Sequence, residues 1–235
     1  MTTLRRALAW GAVAGQILVT GAWVVGGLVQ TGGYSVTRHD ISDLGALTAD
    51  QPWLTLVGQG VSGLLTMTFA IVALGPALAR PGRRSNVGAW LVALSAAGLD
   101  DLSDAFFRLD CRAADPGCTE AAAMASWHGT VHNDVGTFTF VVLVIAPFVL
   151  ARQMRRVSGW HSLAQPTLAY GVVLLVAVTA YVLLSISTGG GLAQRAVALL
   201  GSAGVVVLAL RVVALSRPAA VVRPNAVAGE SMSSR

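Results

Sequence analysis

Six apolar stretches, each about long enough for a helix to cross a bilayer, leave this chain few folds to choose from. They run over about 7–30, 53–79, 88–107, 127–151, 166–188 and 192–214. A spanning helix needs roughly 20 predominantly apolar residues at about 1.5 Å each. The expected fold class is therefore all-α. A polytopic bundle of six transmembrane helices fills residues 1–217, and a small, polar, unpatterned tail over 218–235 is expected to be disordered. The chain is 54% hydrophobic and 11% charged, with a mean hydropathy of +0.68. A soluble domain carries about a quarter charged residues, so an ordinary soluble enzyme is excluded. The net charge of +5 comes from arginine alone, with no lysine. These arginines sit in short clusters between apolar blocks, not in one basic patch, so the expected partner is the lipid bilayer and not nucleic acid.

Arginine placement sets the expected topology. Arg5 and Arg6 precede the first span. Arg80, Arg83 and Arg84 lie between spans two and three, and Arg152, Arg155 and Arg156 between four and five. Arg211, Arg217, Arg223 and Arg235 close the chain. Six spans put all of these on one side, which makes both termini cytoplasmic and the location the cell membrane. The first span is too long for the roughly 7–15-residue apolar core of a cleaved signal and reads as a retained anchor. The acids show the opposite bias. All but Glu230 belong to outer loops or outer half-spans. The positive-inside rule says little about acids, so these need their own explanation.

The outer acids come with histidines and the two cysteines. Cys111 and Cys118 flank a turn-forming Asp115-Pro116-Gly117 run in the loop between spans three and four, which reads as a disulfide in an oxidising compartment. Asp100, Asp101 and Asp104 interrupt the second half of span three and make it the weakest of the six. Three carboxylates there need protons, a cation or arginine partners, for which Arg38, Arg108 and Arg195 stand on the same side. His128 and His132, four residues apart, project from one face of span four, the spacing with which two histidines share a metal ion such as Zn²⁺. Asp134 lies about 200° round the helix from His132 at roughly 100° per residue, so the third ligand is sought among Asp100, Asp104, His39 and Asp43. The first outer loop, with Ile41 and Leu44 among polar residues, reads as a short interfacial helix that turns Ser42 and Asp43 towards the protein. Gln59, Ser62, Tyr181, Ser185 and Ser187 add polar groups in outer half-spans. Together these residues are expected to line an outward-facing polar cavity. The many glycines and alanines of the spans read as close helix packing, and Gly189-Gly190-Gly191 as the hairpin between spans five and six.

The run Ser-Asp-Leu-Gly-Ala at 42–46, with Pro52-Trp53, Phe107, Asp110-Cys111, Asp115-Pro116-Gly117-Cys118, Trp127-His128 and His132, resembles the DUF998 family of prokaryotic membrane proteins. The resemblance covers roughly residues 8–214 and implies a membrane location and six helices, but no reaction. The two histidines with Ser and Asp are also faintly similar to ceramidase-like membrane hydrolases, which have seven spans and place their motif differently.

Three classes of function remain open on these residues. A lipid or small molecule could bind in the outer cavity, with His39, Arg38, Ser42, Gln59, Asp101 and Asp134 as contacts. A metal-assisted membrane hydrolase would hold Zn²⁺ on His128 and His132, with Asp100, Asp104 or Asp43 as its catalytic acid or base. A proton- or cation-coupled transporter would use the span-three acids. Haem ligation is the most distant, because span four alone supplies deep histidines.

Overall fold

The computed structural model describes residues 2–79, 86–185 and 189–216. The tail over 218–235 lies outside these, as do Arg80, Arg83, Arg84, Ser187, Arg217, Arg223, Glu230 and Arg235. The described residues build an all-helical bundle. Helix α1 spans Thr2–Val29 and α2 spans Trp53–Ala77. After short α3 (Val87–Ala93), α4 (Asp101–Asp104) and α5 (Glu120–Ala123) come three long helices: α6 at Trp127–Met154, α7 at Ala164–Ser185 and α8 at Gly190–Leu215. Among the described residues, five helices are long and apolar enough to cross a membrane: α1, α2, α6, α7 with its leading turn, and α8. They make the chain compatible with an integral membrane protein.

The stretch 88–107, expected as one spanning helix, is broken. Helix α3 ends at Ala93, and Ser95 is extended at φ −81°, ψ 176°. A π-helical turn, Ala96–Asp100, then leads into α4. The Ser95 hydroxyl donates to the Val92 carbonyl, 2.8 Å away, which also accepts from the Ser95 amide at 3.4 Å, so the side chain turns back onto the end of α3. Gly98 permits the fold-back, since a Cβ there would stand 2.3 Å from the Ala93 carbonyl oxygen. Even broken, the segment runs the length of the bundle. Gly88 lies beside Gln153 near the end of α6, Gly98 and Leu102 press on Gly63 in mid-α2, and Asp104 reaches Gln59 near the start of α2.

Small residues let the helices meet at backbone distance. A Cβ on Gly58 would stand 2.4 Å from that of Ala22, and one on Gly63 would stand 2.4 Å from the Leu102 nitrogen. A core of Ala9, Phe69, Leu74, Met154, Trp160 and Val212 fills the end remote from the long loops. Trp160, in the turn between α6 and α7, is fully buried and donates its indole N–H to the Ala77 carbonyl.

Candidate functional site

At the other end, two loops close over the bundle. The first carries Tyr34 to Asp50, and the second Arg108 to Ser126. The expected interfacial helix is a single 3₁₀ turn, Ser42–Gly45, with Ile41, Asp43 and Leu44 buried. Arg108 donates to the carbonyls of Gly45 (2.7 Å) and Ala46 (2.8 Å), and the Leu47 amide bonds to Leu109. The buried Arg112 does most of the clasping, pairing with Asp50 at 3.1 Å and Asp115 at 2.7 Å. Its guanidinium also reaches the side chain of Gln30 at the end of α1. Cys111 and Cys118 stand at disulfide-bonding distance with Cα atoms 6.1 Å apart.

The acids and bases of these loops serve the closure. Asp43 accepts from the Ala113 amide at 3.0 Å while its other oxygen is buried without a partner. Burial pushes its carboxyl up to about 6, against the Ala113 hydrogen bond. Asp40 accepts from the Tyr181 hydroxyl at 2.6 Å; burial raises its carboxyl, with that bond and Arg195 opposing. Asp50 is held below the usual carboxylate range by the amide and hydroxyl of Thr31 and by Arg112. His39 Nδ1 accepts from the Ser35 amide, and burial with nearby arginines lowers its basicity. Arg195 donates to the carbonyls of Val36, His39 and Gly191 and to the Tyr34 hydroxyl. Arg38 is exposed and Ser42 half-buried.

Beneath this cover, the helix break assembles a second group. Asp104 is buried; it accepts from the Gln59 amide at 2.8 Å and faces Nδ1 of His132 at 2.9 Å. That Nδ1 also lies 3.1 Å from the Phe107 carbonyl. The Phe107 carbonyl can only accept, which assigns the proton to this nitrogen. Asp100 adjoins Asp104, His132 and Thr139, and one of its oxygens is buried without a hydrogen-bond partner. Asp101 adjoins Ser62. Ser62 in turn receives the buried Gln16 amide at 3.1 Å. Asp100 and Asp104 thus meet the His132 imidazole just past the break, with Asp101 and the neutral side chains of Gln59, Ser62 and Thr139 beside them. Among the described residues, the ion pairs of arginine go to Asp50 and Asp115 and not to this cluster.

The histidine pair divides between two tasks, so the geometry does not support the expected shared metal. His132 is taken by Asp104 and Phe107, whereas His128 stacks on Trp127 at 3.8 Å and approaches Phe107 at 5.8 Å. No group of three or more His, Cys, Asp or Glu side chains that could hold a metal occurs among the described residues. His39 and Asp43 belong to the loop cover, away from His132. Asp134 is exposed on the far side of α6.

The polar groups expected to line an outward cavity are largely bonded to one another: Gln59 to Asp104, Tyr181 to Asp40, and Ser185 to the Val182 carbonyl. A cavity of about 250 Å³ lies elsewhere, between the break and helices α6, α7 and α8. It is walled by Leu143, Ala146, Leu150, Leu174, Val205 and Leu208 with others, and Ser95 and Ala97 of the break reach it. Sequence reasoning missed this cavity, the break at Ser95 and the Arg112 clasp. The acids that weaken span three mark the segment, and the small-residue run Ser95-Ala96-Ala97-Gly98 is the local signal for the break itself.

No curated protein matches the chain, and no solved structure does. A family described as "Protein of unknown function (DUF998)" matches residues 12–211, taking in every long helix, the break and both loops of the cover. The chain therefore belongs to the DUF998 family, whose function is unknown.

Proposed function

We propose that this is a proton-coupled membrane transporter that crosses the bilayer six times, with Asp100, Asp101, Asp104 and His132 as its proton-binding site. The third crossing is the broken segment. Non-helical backbone at membrane depth is tolerated where protein buries it, and broken helices recur at transport sites. Both termini are cytoplasmic in this reading, because the arginine clusters then follow the positive-inside rule. The loop cover, with Cys111 bonded to Cys118, faces outwards.

One observation carries the proposal: Asp104 and Asp100 face the His132 imidazole beyond the helix break, with Asp101 beside them, while Arg108, Arg112 and Arg195 are committed elsewhere. A structural group of acids would be expected to capture one of those arginines. The Gln59 amide, a neutral donor, holds the Asp104 carboxyl in either protonation state, as a site that loads and releases protons requires. The 2.9 Å between His132 Nδ1 and Asp104 Oδ1 brings the two within reach of a proton exchange in this reading. A hydrolytic metal centre has less support, since His132 Nδ1 is occupied and His128 is stacked.

A membrane-soluble carbodiimide tests the assignment, because it adds to protonated carboxyls out of reach of water. Peptide mass spectrometry should find the adduct on residues 96–107, increasing as pH falls and lost in an Asp100→Asn/Asp101→Asn/Asp104→Asn variant. Adducts confined to Asp134 or the loop acids would refute the proposal.

A further inference from the structure

The apolar cavity between α6, α7 and α8 performs no part of the proton reading, and its walls show what it can hold. Only three of its lining residues carry a hydroxyl, and each gives its one proton elsewhere. Ser95 donates to Val92 at 2.8 Å, Tyr170 to Leu200 at 2.7 Å, and Thr167 to the Met154 sulfur at 3.4 Å. A water inside needs two to four polar partners, and the side chains of this lining offer it no free donor. An empty space of about 250 Å³ forfeits dispersion contacts along every wall. Apolar cavities of only ~150 Å³ already take up small hydrocarbons. The occupant is therefore apolar throughout its buried length.

The cavity's position names the source. Its lining passes from fully buried Leu174 to Pro166, Ala203 and Val207, which are exposed on α7 and α8. Helix α7 is the most peripheral of the apolar helices, with only 11% of its apolar window buried. In a bilayer these surfaces face acyl chains. We infer that the cavity is a lipid-chain site, entered between α7 and α8 and filled by one acyl chain whose headgroup stays outside the lining.

The test uses the full chain in nanodiscs made with a phosphatidylcholine that carries a diazirine midway along one acyl chain. After illumination, adducts are located by mass spectrometry. The inference expects adducts on buried Leu174, Leu150 and Val205 as well as on exposed Ile145 and Val172. Ala203→Phe, at the surface mouth, should cut the buried adducts several-fold and leave the exposed ones unchanged. Gly201→Leu should do the same from within, since a Cβ there meets only Leu143, at 3.8 Å. Adducts on Ile145 and Val172 alone, or buried adducts indifferent to both variants, would overturn the inference. Proton-site variants such as Asp104→Asn should leave the pattern unchanged, so this inference and the proton reading fail separately.

Discussion

Nδ1 of His132 lies 2.9 Å from Oδ1 of Asp104, tying the start of α6 to the last residue of α4. Each partner is what lets the other be buried. Removing His132 leaves a buried acid without its neutralising neighbour, which costs about 3–5 kcal/mol where such pairs have been broken. His132→Ala should therefore lower the melting temperature sharply, and Asp104→Asn less, because asparagine still accepts from Gln59. The double variant should recover about 1–3 kcal/mol of the summed loss. Thermal unfolding of the four proteins in one detergent measures this, and strict additivity would show that the two side chains do not interact.

Backbone contact at Gly63 holds the break against α2. Gly63→Ala would drive a methyl to 2.4 Å from the Leu102 nitrogen and 2.6 Å from the Gly98 carbonyl. Neither atom is the end of a flexible side chain, so the cost is expected to be about 1–3 kcal/mol. Gly21→Ala is the control, with nothing within 4 Å of its Cβ. It should be neutral or slightly stabilising, since alanine is the better helix former. Thermal melts that shift equally for both would contradict the packing described.

Asp43 gives the loop cover a pH dependence of known sign. Burial raises its carboxyl from 3.8 to about 6 in the folded protein. Folding thus favours the protonated form: its stabilisation is greatest below 3.8 and is lost as pH rises through about 6. Asp43→Asn keeps an acceptor for the Ala113 amide and cannot ionise. It should stabilise the fold at pH 8 by at most about 3 kcal/mol, with about half of that remaining at pH 5. Asp40, Asp115 and Arg112 face the same carboxyl, so the comparison is made on this single substitution. A benefit that grows as pH falls would reverse the sign and refute the assignment.

Much of this arrangement was legible in the chain, and the rest was hidden for identifiable reasons. The long helices follow from apolar length. That Asp100 and Asp104 share a depth with His132 follows from counting residues inward from the loops. Spacing alone also paired His128 with His132, but i, i+4 periodicity fixes only a shared face. The acceptors at Phe107 and Asp104 and the ring of Trp127 then divided the two. The Arg112 clasp was illegible because Gln30 and Asp50 are remote in sequence. The break at Ser95 depends on Gly98 approaching the Ala93 carbonyl, a tertiary contact that no period reports. A cavity is a shortage of volume among several helices and has no motif.

Proton uptake into proteoliposomes under an imposed pH gradient, followed with an entrapped pH dye, tests the proton-binding role most directly. The wild-type protein should carry protons, and Asp100→Asn or Asp104→Asn should abolish the flux. Asp134→Asn, altered on the exposed face of α6, should leave it intact. Undiminished flux in both cluster variants, or equal loss in Asp134→Asn, would contradict a proton site at the helix break.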